Sequence, residues 1–136
     1  MKAEAAFTHD VPPQRVVFAP GGLLRVAEEA ERLKIGRALV VATPGSGERL
    51  GKRVADILGA RAAGLHAQAV IHVPKVVAEA GLQAARDTKA DGVIAVGGGS
   101  AIGQQLFQLC RGGRAIVARV CEAGHHRRNR LGSCLL

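Results

Sequence analysis

Apolar and polar residues alternate along the first hundred residues in two distinct patterns. Short, unbroken apolar runs at 37–44 and 92–96 are typical of strands that are buried on both faces of a parallel sheet. Between such runs, apolar residues recur every three or four positions, as in a helix with one buried face. This alternation predicts an α/β fold: a Rossmann-like, mostly parallel sheet with flanking helices.

The same patterns place the individual elements. Glycines at 36 and 59 stand where helices are expected to stop. Beyond residue 103 the pattern supports no assignment. The predicted elements are strands at 15–19, 37–44 and 92–96, extended segments at 63–67 and 69–74, and helices at 23–34, 48–58 and 76–89.

Composition agrees with one globular domain. The 136 residues are 48% hydrophobic, but they include three Phe and no Trp or Tyr, so the core is expected to consist of small and branched aliphatic side chains. The sequence has no apolar run of the roughly 18 residues that a membrane span needs, and its first 15 residues lack the apolar region of a signal peptide. We therefore expect a soluble cytoplasmic protein with no membrane partner.

The net charge of +8 is distributed unevenly. Residues 1–100 carry 13 basic and 10 acidic residues, whereas residues 101–136 carry six arginines, one acidic residue and all three cysteines. The basic run at 125–130 could contact phosphates, but it lacks aromatic residues for base stacking, so no nucleic-acid partner is predicted. The wide cysteine spacing and the adjacent pair His125 and His126 indicate neither a disulfide framework nor a metal site.

The strongest candidate for chemistry is the sequence GVIAVGGGS, which ends at residue 100. A buried strand runs directly into Gly97, Gly98, Gly99 and Ser100, and ligands of open α/β sheets bind beyond such strand ends. Glycines allow close approach of a phosphate, the following helix would offer unpaired N–H groups, and Ser100 could cap that helix or bind a phosphate oxygen. The alternative is a tight turn without a ligand.

The earlier strand ends in ATPGSG, at the same edge of the sheet if the strands are parallel. Thr43 could bind part of a nucleotide, but Pro44 and the residues after it are equally good turn formers, and from the pattern alone the turn is preferred. His66 and His72 lie in apolar extended segments. We expect them to be satisfied core or edge histidines rather than ligands.

Four segments together resemble a known family: RVVFAPGGL, LKIGRALVVATPGSG, AAGLHAQAVIHVP and ADGVIAVGGGSAIG. Over residues 14–103 the chain resembles the N-terminal domain of the iron-type (group III) alcohol dehydrogenases, and it is most similar to their maleylacetate reductase members. The resemblance implies that 1–103 is part of a dinucleotide-binding domain. It also implies that Gly97, Gly98, Gly99 and Ser100 hold the pyrophosphate of NAD or NADP.

The sequence departs from the family pattern at two positions. Gly103 replaces an aspartate of many metal-dependent members, as in maleylacetate reductases. Pro44 stands where many alcohol dehydrogenases have an aspartate near the adenine ribose, which leaves the choice between NAD and NADP open. The metal ligands of the family are expected to be absent from this chain.

The resemblance ends after Gly103. The family continues with a Thr-Thr-x-Gly-Thr-Gly-Ser-Glu segment and a helical domain that carries the catalytic or metal-binding histidines. For one choice of synonymous codons, residues 125–131 read one base out of register give Thr-Thr-Gly-Gly-Thr-Gly-Ser. We therefore interpret 104–136 as an atypical basic tail translated out of frame, on a chain truncated before the helical domain, and we expect little or no turnover from this chain alone.

The resemblance implies hydride transfer from NADH or NADPH to maleylacetate, in the catabolism of aromatic compounds. The partners would be the dinucleotide and a small-molecule substrate, and the parent protein would be a homodimer. One alternative is a fragment of an iron-type alcohol dehydrogenase or glycerol dehydrogenase, with dehydroquinate synthase as a further relative. Another is a non-catalytic nucleotide-binding remnant.

Overall fold

The structure is a computed structural model that describes residues 15–70, 72, 74–97, 114–121 and 132–135. A 3-10 turn precedes the first helix at Gly22–Arg25, and another follows the second helix at Gly59–Arg61. The strands are β1 (Val17–Pro20), β2 (Ala38–Ala42), β3 (Ala62–His66), β4 (Gly92–Val96), β5 (Arg114–Cys121) and β6 (Gly132–Leu135), and the helices are α1 (Val26–Arg32), α2 (Ser46–Leu58) and α3 (Lys75–Asp87).

The six strands form one sheet in the order β1-β6-β5-β4-β2-β3. β3, β2, β4 and β5 run parallel, whereas β6 is antiparallel to both β5 and β1. The predicted α/β fold with a mostly parallel sheet and flanking helices is therefore confirmed. α2 links β2 to β3, and α3 links β3 to β4. The two helices lie on opposite faces of the sheet, as right-handed crossovers require when the strand order reverses.

β2 and β4 are the centre of the core, because every residue of both strands is buried. Side chains alternate between the two faces. On one face, Val40 and Ile94 join the apolar cluster that includes residues of α1 and α2. On the other face, Leu39 and Val93 join a smaller cluster that packs against alanines of α3 and of the turn after it. Burial on both faces is the reason that these strands are continuous apolar runs in the sequence.

Asp91 holds β2 and β4 together at their amino ends. Its carboxylate oxygens accept hydrogen bonds from the backbone N–H groups of Gly36 (3.0 Å) and Arg37 (2.9 Å). The Arg37 side chain in turn donates to the carbonyl of Thr88 at 2.8 and 3.0 Å. A single acidic side chain therefore satisfies the N–H groups of the chain as it enters β2.

Gly92 allows a close approach just beyond this point. A Cβ atom at this position would lie 2.7–2.8 Å from three side-chain carbons of Ile35, which is itself fully buried. The isoleucine therefore occupies the space that any larger residue at 92 would need.

Most predicted elements begin or end one or two residues away from the observed bounds. α2 begins at Ser46, two residues earlier than expected, and the predicted helix 23–34 is divided into a 3-10 turn and α1. The extended segment predicted at 69–74 is wrong for its described residues, which lie in neither a strand nor a helix. The backbone N–H of Ala69 donates to the carbonyl of Ala42 at 3.1 Å, and His72 adopts a left-handed φ of 62°, so the chain turns there instead of continuing straight.

β5 and β6 belong to the segment 104–136, for which the sequence pattern predicts no elements. Their backbones pair with β4 and β1 respectively, and with each other. The division at residue 103, and the interpretation of 104–136 as an out-of-frame tail, remain predictions.

Candidate functional site

The carboxyl ends of β2 and β4 meet at the point where the strand order reverses. From β2 the chain crosses to β3 on one side, and from β3 it returns to β4 on the other side of β2. In doubly wound sheets this reversal leaves a crevice between the two crossovers, and ligands bind there, beyond the carboxyl ends of the strands. The candidate site therefore lies between the ends of β2 and β4.

Thr43 and Gly97 form the two sides of this crevice. Ala42 and Val96 are paired in register as the last residues of their strands, so Thr43 and Gly97 leave the sheet side by side. A Cβ atom at Gly97 would lie 3.9 Å from the Thr43 hydroxyl oxygen. Gly97 has a φ of 126°, a conformation that L side chains rarely adopt, so glycine serves both the turn and the width of the crevice.

The Thr43 side chain also packs against the first turn of α2. A Cβ atom at Gly47 would collide with the Thr43 hydroxyl oxygen and lie 3.1 Å from its Cβ. Gly47 is buried and Thr43 is half-buried. The absence of a side chain at 47 therefore gives the hydroxyl its place beside the start of the helix.

The start of α2 offers backbone donors at this edge. Its N-cap residue is Gly45, with a φ of 74°, and no side chain of the described residues caps the helix. The first N–H groups of an uncapped helix, with the positive end of the helix dipole, favour a negatively charged group. Pro44 is exposed in the turn just before them.

Close packing fixes the position of α2 at the edge. A Cβ atom at Gly51 would lie 2.8 Å from Leu65 Cδ1 and 3.1 Å from the Cβ of Ala42. Gly51 therefore lets the helix lie directly on β2 and β3. This contact positions the first turn of α2 relative to the strand that ends in Thr43.

Three of the six predicted site residues can be placed. Thr43, Pro44 and Gly97 all lie at the carboxyl edge, and the structure brings Thr43 and Gly97 together. Gly98, Gly99 and Ser100 lie outside the described residues. The close approach of Gly47 to Thr43 was not expected from the sequence, because the tetrapeptide from Pro44 to Gly47 is also a common turn sequence.

The two histidines predicted to be non-ligands differ in their environments. His66 ends β3 and is 8% exposed, and its Nε2 atom has no hydrogen-bond partner among the described residues. Burial lowers the pKa of His66 below its ordinary value. His72 is exposed in a turn. His66 is thus a core histidine as expected, but no described residue satisfies its Nε2 atom.

Within the described ranges, no group of three or more His, Cys, Asp or Glu residues is placed to hold a metal ion. In the same ranges, no helix has the length and apolar character that crossing a membrane requires.

The family model for iron-containing alcohol dehydrogenase matches residues 13–104. Among curated proteins, the chain is 44% identical over 112 residues to a maleylacetate reductase of Pseudomonas knackmussii. The matched region covers 82% of this chain and 32% of that protein. It is 48% identical over 113 residues to maleylacetate reductase 2 of Cupriavidus pinatubonensis, and this match covers 82% of this chain and 31% of that protein. The chain spans about a third of the length of these relatives.

Solved structures agree with the sequence comparison. The maleylacetate reductase of Agrobacterium tumefaciens superposes with a TM-score of 0.73 at 30% identity, over 93% of this chain and 40% of that one. A protein described as a putative alcohol dehydrogenase of Ralstonia eutropha gives a TM-score of 0.73 at 35% identity, with the same coverage. Sequence and fold together show that this chain belongs to the iron-containing alcohol dehydrogenase family.

Proposed function

We propose that this chain binds a nicotinamide dinucleotide as part of an oxidoreductase that transfers hydride from NADH or NADPH to maleylacetate. The observation that carries the proposal is the crevice at the strand reversal, where Thr43 and Gly97 lie side by side. The relatives named maleylacetate reductase support the choice of substrate. The parent protein is proposed to be a cytoplasmic homodimer.

The residues of the crevice fit a dinucleotide. Gly97 lacks the Cβ that would otherwise lie 3.9 Å from the Thr43 hydroxyl oxygen, so the end of β4 presents backbone instead of a second side chain to a phosphate group. The uncapped first turn of α2 offers N–H donors on the β2 side. On the β4 side we assign the pyrophosphate to Gly97, Gly98, Gly99 and Ser100, as the family resemblance implies.

The residues of this chain bind and orient, and the bound dinucleotide supplies the hydride. In this proposal the loop after β4 holds the pyrophosphate, and the Thr43 hydroxyl donates to or accepts from a polar group of the nucleotide. Pro44 carries no carboxylate with which to repel a ribose 2′-phosphate, so we propose that both NADH and NADPH are accepted. Orientation of the nicotinamide depends on these contacts, since a displaced ring cannot present its hydride to the substrate.

Isothermal titration of the chain with NADH and with NADPH tests the proposal. We expect binding of both, and we expect Gly98→Asp to abolish it, because the new carboxylate would repel the pyrophosphate. Ala60→Asp is the matched control, because it adds the same charge at an exposed position in the 3-10 turn after α2, at the end of the helix away from the crevice.

Each outcome has a defined meaning. Binding that survives in Ala60→Asp and disappears in Gly98→Asp would support a dinucleotide on the predicted loop. Equal binding by both variants would contradict that assignment. Absence of binding by the unmodified chain would contradict dinucleotide binding by this chain.

A further inference from the structure

His66 lies at the carboxyl edge of the sheet, and its buried Nε2 atom has no hydrogen-bond partner among the described residues. It is the last residue of β3 and pairs in register with Val41 of β2, so the two side chains share one face of the sheet. Val41 belongs to the apolar cluster on the α3 face, together with Leu39 and Ala69. The imidazole is 8% exposed and its Nε2 atom makes no hydrogen bond to a described residue.

The residues that follow His66 lie against the end of β2. The N–H of Ala69 donates to the carbonyl of Ala42 at 3.1 Å, and Ala69 is fully buried. Ala42 immediately precedes Thr43. Segment 67–70 therefore forms the rim of the sheet edge beside the Thr43 side of the crevice, on the face of the sheet that Val41 and His66 share.

No described charge faces the His66 ring. β2 and segment 67–70 consist of uncharged residues, and every charged side chain of α3 is exposed, as is His72. Burial is the cause that lowers the pKa of His66, and no carboxylate opposes it. A proton on this ring would therefore be a buried charge without a described counter-charge, which is unfavourable. The charged side chains of α3 are Lys75, Glu79, Arg86 and Asp87.

We propose that His66 is a proton-sensitive latch for segment 67–70. The neutral ring packs beneath the segment and keeps the hydrogen bond between Ala69 and Ala42 closed. Protonation expels the ring towards water, breaks that hydrogen bond and opens the rim beside Thr43. The proposal concerns the chain by itself and does not depend on dinucleotide binding.

The sign of the pH effect follows from the burial of the ring. Because the pKa of His66 is lowered in the folded chain, the neutral form is the one that the fold favours. The segment is fully closed above the ordinary histidine pKa of about 6.5. It opens progressively as the pH falls below that value.

Native-state amide exchange of the full chain, followed by NMR between pH 7.5 and 5, tests the latch. The readout is the protection factor, which removes the pH dependence of intrinsic exchange. We expect the protection factor of the Ala69 amide to fall about tenfold over this range while that of Ile94, at the centre of β4, is unchanged. An equal fall at both amides would show global destabilisation and would overturn the proposal.

Two variants isolate the histidine. His66→Phe keeps a ring and removes the titration, and we expect protection at Ala69 that no longer depends on pH. His72→Gln removes the exposed histidine six residues later, and we expect the pH dependence of the unmodified chain. A pH-dependent Ala69 amide in His66→Phe would overturn the proposal.

A measurement on the unmodified chain guards against a His66→Phe variant that does not fold. The NMR titration of the His66 ring protons reports the midpoint directly. A midpoint below 6.5 supports the latch. A midpoint at or above 6.5 would mean that the fold does not disfavour the charged ring, and the latch would be ruled out.

Discussion

Glu29 is a carboxylate almost withdrawn from water and held by two arginines. Its side chain is 6% exposed, and it forms ion pairs with Arg32 at 2.7 Å and with Arg15 at 3.1 Å. Arg32 is one turn along α1, whereas Arg15 precedes β1, so the carboxylate attaches the start of the described chain to the helix. Hydrogen bonding from Arg32, followed by that from Arg15, holds the pKa of Glu29 below its ordinary value against the effect of burial.

Replacement of Glu29 by Gln should reveal this contribution and its pH dependence. Because the pKa of Glu29 is lowered, its stabilisation is complete above the ordinary glutamate pKa of about 4.3 and is lost as the pH falls through the lower folded value. We expect Glu29→Gln to lower the free energy of unfolding by about 1–2 kcal/mol at pH 7, since both arginines are half-exposed.

Urea denaturation between pH 7 and pH 3 measures both effects. The difference between the two proteins should shrink below pH 4. Glu28→Gln is the control, because Glu28 pairs with Arg25 on the exposed surface and should contribute little. A difference for Glu29→Gln that did not shrink in acid would contradict the ion-pair explanation.

Thr43 allows the candidate site to be tested at one atom. Thr43→Val removes the hydroxyl and keeps a branched side chain of similar size, so the packing against Gly47 is retained. If the hydroxyl binds the nucleotide, we expect the dissociation constant for NADH to rise about fivefold. This corresponds to the loss of one hydrogen bond of about 1 kcal/mol. Thr43→Ser keeps the hydroxyl and should bind nearly as the unmodified chain does. Equal affinities for all three in isothermal titration would remove Thr43 from the site.

The sequence is informative about individual residues only where their neighbours in the chain determine their role. Thr43 and Gly97 are recognisable because each follows a buried apolar run, and strand ends are local signals. The contact between Gly47 and Thr43 depends on how closely α2 packs on β2, a distance that no local pattern encodes. The unsatisfied Nε2 of His66 was likewise unpredictable, since its surroundings come from β2 and the turn after β3.

At the scale of elements, Asp91 joins the starts of β2 and β4. Its two oxygens accept the N–H groups of Gly36 and Arg37, at the edge of the sheet opposite the crevice. We expect Asp91→Ala to lower the free energy of unfolding by about 1–3 kcal/mol, because two backbone donors lose a charged acceptor. Thermal and urea unfolding measure the loss.

Asp87→Ala is the matched control for this change. Asp87 is also an exposed aspartate near the end of α3, but it accepts a hydrogen bond from the side chain of Gln83 at 2.8 Å. We expect a change within about 0.5 kcal/mol. If Asp87→Ala cost as much as Asp91→Ala, the stabilisation would be due to general charge effects and not to the two backbone hydrogen bonds.

Elements were predictable where burial alone determines the pattern. β2 and β4 are buried on both faces, and the predicted span of β4 at 92–96 is confirmed. The helices were predictable from one apolar face, with ends that shift by a few residues where glycine and serine permit either structure. The segment 69–74 has apolar residues but pairs with no strand along its described length, and β5 and β6 depend on partners distant in the chain. Apolar character alone cannot distinguish these cases.

At the scale of the whole molecule, β1 presents an apolar edge. Phe18 is 70% exposed and Val16 is 54% exposed, and no described strand pairs with the outer side of β1. Exposed apolar strands at a sheet edge favour association. We expect Phe18→Lys to reduce self-association of the chain, measured by light scattering against concentration.

Val76→Lys provides the comparison for this prediction. Val76 is 75% exposed, but it lies on α3 and not on a strand. Its replacement adds the same charge without altering the edge. Equal reductions by the two variants would attribute the effect to net charge instead of to β1.

The close approach of Thr43 and Gly97, which lie far apart in the sequence, has a consequence for synthesis of the chain. The two residues are separated by α2, β3, α3 and β4, so the ribosome adds Gly97 roughly 3–10 s after Thr43 at about 5–20 residues per second. A nascent chain therefore has no crevice until β4 has emerged and docked beside β2. Until then α2 can already cover one face of β2, whereas the other face and the β4 edge still lack the partners that bury them in the folded chain.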